Sequence, residues 1–146
     1  MNSLRSSRQD EDLVVRRRGE NVTSVVFSVV AALLVQMLPN WNIGFVTSEL
    51  PVVLTAVTLS LVIDAGSHLT LAFHSPRYLH HALHALMAGF SLNAARVVYE
   101  VFPFDFSAIE ALPVAGIVRG GLIFAMAVSG ISLVVNGLRF LFARKR

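Results

Sequence analysis

The stretch "LPVVLTAVTLSLVIDAGSHLTLAFHSPRYLHHALHALMAGFSLNAARVVYEV", residues 50–101, decides the fold. It holds two apolar runs, 50–73 and 77–101, each longer than the ~20 residues that cross about 30 Å of hydrocarbon at about 1.5 Å per residue. Only "HSP" at 74–76 separates them, too little chain for anything but a turn. Proline fits the first turn of a helix, where its missing donor is not needed, and a nearby serine caps a free N–H. Pro51 with Ser48 and Pro76 with Ser75 therefore mark two helix starts. The expected unit is a helical hairpin buried in a bilayer.

Two further apolar runs, 21–38 and 111–143, flank the hairpin. "LPNWN" at 38–42 stops the first of them, and "FPFDF" at 102–106 ends the run before the last. Ser107 and Glu110 have capping-box spacing ahead of the last run. The 146 residues are 55% hydrophobic and 14% charged, with a mean hydropathy of +0.67, far from the balance of a soluble domain. Nine of the 21 charged residues fall in residues 1–20 and three more in the final "RKR", so the interior is nearly charge-free. The fold class expected is an all-α polytopic integral membrane protein: four transmembrane helices, at about 21–38, 50–73, 77–101 and 111–143, in an antiparallel bundle. Residues 1–20 form a polar, basic tail ahead of that 21–146 domain.

The first apolar run reads as a retained helix rather than a cleaved signal, because no A-x-A-like site follows Leu38. "RRR" at 16–18 reads as its basic flank. With no cysteine in the chain, disulfides and thiolate metal sites are excluded. Arg5, Arg8 and Arg16 to Arg18 precede the first run, Arg77 lies in the hairpin turn, and Arg139, Arg144, Lys145 and Arg146 close the last. The opposite loops, 39–49 and 102–110, carry no Lys or Arg but hold Glu49, Asp105 and Glu110. The positive-inside rule puts both termini and the 74–77 turn in the cytoplasm. Topology thus explains the pI of about 10.2, and nucleic acid is not an expected partner; the lipid bilayer is. In topology alone the chain resembles many small bacterial and archaeal four-span proteins, which implies a prokaryotic plasma membrane.

Within the hairpin, residues whose numbers sum to about 148 should lie at equal depth, so Asp64 faces His84 and His68 faces His80. Asp64 and His68 share one face at i, i+4, as do His80 and His84 on the next helix. On the third run, His80, His84, Ala88, Ser91 and Ala95 fall on one side, and Gly89, Asn93, Arg96 and Glu100 on the other. A helix with two polar faces belongs at the centre of an assembly. The last run offers a close-packing surface in Gly116, Gly120 and the stripe Gly121, Ala125, Ser129.

Asp64, His68, His80 and His84 are candidate ligands for Zn²⁺ or a similar divalent metal, since imidazole and carboxylate suit four-coordinate geometry. Two of the histidines could instead hold one b-type haem. The set also has the composition of a proton or cation relay. The blandest reading makes the histidines interfacial and leaves one Asp64–His84 hydrogen bond that fixes packing. Asp64 resists dismissal, because a carboxylate at a helix centre costs about 2.5–3.5 kcal/mol on insertion scales.

Asn93, Arg96, Glu100 and Arg119 form a second candidate network in the outer half: a salt-bridge group that sets register, or an anion site or pore vestibule. A voltage sensor needs a ladder of arginines on one helix, and here each helix has one. "FPFDF" and Trp41 read as interfacial anchors. No H-E-x-x-H, G-x-S-x-G, phosphate loop or dinucleotide fingerprint is present, so no enzyme is expected. The expected function is a channel-like or transport component, working as a homo-oligomer or as a subunit of a larger membrane complex. A metal- or haem-binding subunit and a passive assembly protein are the alternatives.

Overall fold

The computed structural model describes residues 2–41, 46–74, 76–106 and 113–143, and their side chains except those of residues 2–17, 41 and 77. There are four α-helices: α1 (Asn2–Met37), α2 (Leu50–Phe73), α3 (Arg77–Val101) and α4 (Val114–Ala143). A short 3₁₀ turn at Leu38–Trp41 follows α1. Helices α2 and α3 begin and end where the proline signals and apolar runs put them. Their caps are plainer than expected. Glu49 rather than Ser48 is the N-cap of α2, Pro76 is that of α3, and neither start has a side-chain cap. Ser75, Ser107 and Glu110 lie outside the described residues.

The first helix departs from expectation. It runs unbroken from Asn2, so the expected polar tail at 1–20 is a helical extension of the apolar segment. The physical reason is that the segment is rich in Arg, Gln, Glu and Leu, all good helix formers, and meets no proline until Pro39.

Among the described residues, three segments are long and apolar enough to cross a membrane: Arg18–Asn40, Leu50–Phe73 and Val114–Phe142. The reading of four comparably apolar runs is corrected at α3. Its 25 residues suffice in length, but three histidines, Asn93, Arg96 and Glu100 dilute its apolarity. Large side chains such as Phe27, Phe73, Phe124 and Phe142 are exposed, as suits a protein embedded in a membrane.

Helix α1 packs on α2, α2 on α3, and α3 on α4. Both α2 and α3 are therefore flanked on two sides, and the buried apolar residues belong to them: Leu50, Val53, Leu54 and Leu71 on α2, Met87 and Ala94 on α3. At one end, Thr47 N–H donates to the Pro103 carbonyl at 3.0 Å, and Val46 bridges Phe104. The segment leading into α2 and the segment leaving α3 thus lie together. Phe102 closes α3 in the left-handed region, with φ of 41°, and its ring meets those of Phe104 and Phe106. The glycine part of the surface expected of α4 has open space beside it: a Cβ built on Gly116, Gly120 or Gly121 meets nothing within 4 Å.

Candidate functional site

Polar side chains in this bundle sort into two kinds. Thr23, Ser24, Thr55 and Thr70 each donate to the carbonyl four residues earlier in their own helix, at 2.8–3.1 Å. Such hydroxyls are satisfied without a neighbour and can face hydrocarbon. Three pairs instead cross from α1 to α2, each step down one helix matched by a step up the other. Asn21 meets His68, Ser28 donates to Asp64, and Gln36 donates to Thr58 at 2.8 Å.

In the middle pair the serine is buried and the carboxylate is 32% exposed. Ser28 is only 2% exposed, and its hydroxyl donates to Asp64 Oδ2 at 2.5 Å. The other carboxylate oxygen faces His68 Nε2 at 3.8 Å. His68 Nδ1 lies 3.1 Å from Asn21 Oδ1, an atom that only accepts, so Nδ1 donates there and Nε2 is left toward Asp64. The Asp64 carboxylate and the His68 ring thus stand side by side on one face of α2, one turn apart.

Imidazole rings lead away from this pair. The centroids of His68 and His84 are 6.2 Å apart, those of His84 and His80 4.3 Å, and those of His80 and His81 5.6 Å. His68 and His84 are part-buried, His80 is exposed, and His81 beyond it is again part-buried. Beside the rings, a cavity of about 250 Å³ is bounded by Asp64 and His68 of α2, His84 and Ser91 of α3, and Ser129 and Ser132 of α4. It has room for several water molecules at about 30 Å³ each, with carboxylate, imidazole and hydroxyl groups to hold them. The Asn136 amide donates to the Ser132 carbonyl and hydroxyl, at 2.9 and 3.2 Å, so the polar lining of α4 continues one turn further.

The structure thus brings Asp64, His68 and His84 together and sets His80 against His84. Two details change. Asp64 takes its hydrogen bond from Ser28 rather than His84, and His68 lies nearest His84 rather than His80, a register shifted by one turn. The connection between the helices spans His74–Pro76, so pairing by equal numbers about residue 74 does not fix the partners to better than a turn. Among the described residues, no group of three or more His, Cys, Asp or Glu side chains is placed to hold a metal ion. At about 250 Å³ the cavity is below the about 300–1,000 Å³ typical of sites for larger organic ligands.

The outer candidates do not form one network. Arg96 Nε donates to Glu100 Oε1 at 2.7 Å, and both side chains are exposed, at 67% and 55%. The Arg119 guanidinium sits 4.5 Å over the Phe102 ring, a cation–π contact. Asn93 faces outward. Sequence reasoning missed Asn21, Ser28 and Ser132. The signal for the first two was present: Asn21 and Ser28 are seven residues apart on α1, hence on one face, which hairpin arithmetic confined to residues 50–101 could not use. No protein-family model matches the chain, and no curated protein or solved structure matches it.

Proposed function

We propose that the chain is a four-span membrane protein that takes up protons from one side of the bilayer, as a transport component. In this reading the helices form an antiparallel bundle with both termini cytoplasmic, and α3 crosses despite its polarity because His84 and Ser91 line the cavity rather than face lipid. The observation that carries the proposal is the Asp64–His68 pair at one end of imidazole rings that run from His84 to exposed His80. Rings in contact or one water apart let a proton pass by rotation and relay.

Access is one-sided. From Asp64 toward the far end, α2 buries Ser60 and then Val53, Leu54 and Leu50, an apolar seal. A polar route open on one face and closed on the other fits one state of a transporter, or one half of a pathway that an assembly completes, better than an open pore.

The test is reconstitution into vesicles with a trapped pH dye and a potassium diffusion potential. Wild-type protein is expected to pass protons faster than empty vesicles, Asp64→Asn to fall to the empty-vesicle rate, and His84→Ala to slow the flux. Flux unchanged in Asp64→Asn removes the site from any pathway. An infrared carboxyl band that titrates with pH and vanishes in Asp64→Asn would identify the proton site independently of flux. Stoichiometric metal in the purified protein would favour the metal-binding alternative instead.

A further inference from the structure

The outward face of α3 carries residues that lipid does not suit. Ala85 and Gly89 are four apart, the small-xxx-small spacing that lets helix backbones approach, and Asn93, Arg96 and Glu100 continue the row. Asn93 is exposed, and its side-chain amide has no hydrogen-bond partner among the described residues. It lies eight residues, about 12 Å, from the Val101 end of α3, which is hydrocarbon depth if α3 spans as proposed above; this inference rests on that reading. An amide left unpaired there costs several kcal/mol, so something must pair with it. Between α3 and Leu133 of α4 the same face forms an apolar groove of about 530 Å³, with Asn93 the one polar side chain in it.

We propose that α3 of a second copy fills this groove, about a two-fold axis along the membrane normal. The axis puts the two Asn93 side chains at equal depth, and an amide is its own complement: each donates to the other's oxygen. The charges agree. Arg96 and Glu100 are one turn apart, about 5.4 Å, so each guanidinium can reach the opposing carboxylate diagonally while keeping its own. Two cations and two anions then interleave. A lipid chain in the groove would leave Asn93 unpaired. The small-residue stripe of α4 is equally exposed, but no amide on it demands a partner.

The chain is free of cysteine, so single cysteines report contacts directly. Ala85→Cys is expected to form disulfide-linked dimers under mild oxidation in membranes, and adding Asn93→Leu to suppress them. Gly120→Cys on the α4 stripe and Phe124→Cys on its exposed side should stay monomeric. Dimers through Gly120→Cys, equal cross-linking at Phe124→Cys, or none at Ala85→Cys would overturn the interface. Charge reversal supplies a second readout. A copy with Arg96→Glu and a differently tagged copy with Glu100→Arg should co-purify several-fold more than either does with itself, whereas a purely intrahelical pair gives no preference. Asn93→Cys that reacts with a membrane-impermeant maleimide sinks the four-span reading and the interface together. No reaction there, with no cross-link at position 85, sinks the interface alone.

Discussion

Asp64 is held by α1 at one carboxylate oxygen and faces His68 of its own helix at the other, and that division governs what substitutions do. Ser28 and Asp64 meet across helices, and interhelical hydrogen bonds in membranes average only about 0.6 kcal/mol and reach about 1.7 at most. A double-mutant cycle of Ser28→Ala and Asp64→Leu, read by denaturation in mixed detergent, is therefore expected to give a coupling of about 0.6–1.7 kcal/mol. A coupling of zero would mean that the pair does not form in the membrane. Thr70 is the contrast, because its hydroxyl already bonds the Gly66 carbonyl. Thr70→Val keeps the shape and should shift stability by no more than about 0.5 kcal/mol in the same assay. The sequence marked Asp64 as a residue needing a partner, since a carboxylate amid apolar residues is visible in any window. It could not name Ser28, because one serine in an apolar helix looks like any other until the neighbouring helix is in place.

Among the elements, α2 and α3 were legible to the residue, and α1 was not. Proline sets a start by chemistry that needs no tertiary context, so Pro51 and Pro76 fixed the hairpin. Nothing comparable separates the charged part of α1 from its apolar part; hydropathy marks where a bilayer ends, and helix propensity does not change there. Helix α3 shows the reverse case. Its polar residues depress its hydropathy below that of α2, α4 and the apolar part of α1, while their distribution over two faces supplies the histidines on one side and Asn93 on the other. Helix α4 is the least constrained. Gly116 and Gly120 sit in open space, so alanine at either removes backbone freedom in the unfolded chain with nothing to strike. Gly116→Ala and Gly120→Ala are each expected to stabilise the protein by about 0.5–1 kcal/mol in thermal or detergent unfolding. A loss instead would show that a neighbouring molecule covers that stripe.

At the scale of the whole molecule, the decisive matter is whether α3 crosses, because three spans and four place the Asp64–His68 pair on opposite terms with the bilayer. Apolarity alone argues for three. Against it stand the position of α3 between α2 and α4, its 25 residues, and the bond from Thr47 to Pro103, which gathers the far ends of α2 and α3 at one end of the bundle with Phe102, Phe104 and Phe106. Charge argues the same way. Ten Lys and Arg lie in the termini and the hairpin turn against none in the two other loops, a bias that a three-span chain would split between both faces. Single cysteines at His74 and Asp105 separate the cases, since α3 connects them. In intact cells a membrane-impermeant maleimide is expected to label Asp105→Cys from outside and to reach His74→Cys only after the membrane is opened. Labelling of both from one side would make α3 a helix lying along the surface. His80 and His84 would then sit in bulk water, a relay through them would have no barrier to cross, and the partly buried Asp64 would be left as a packing residue tied to Ser28.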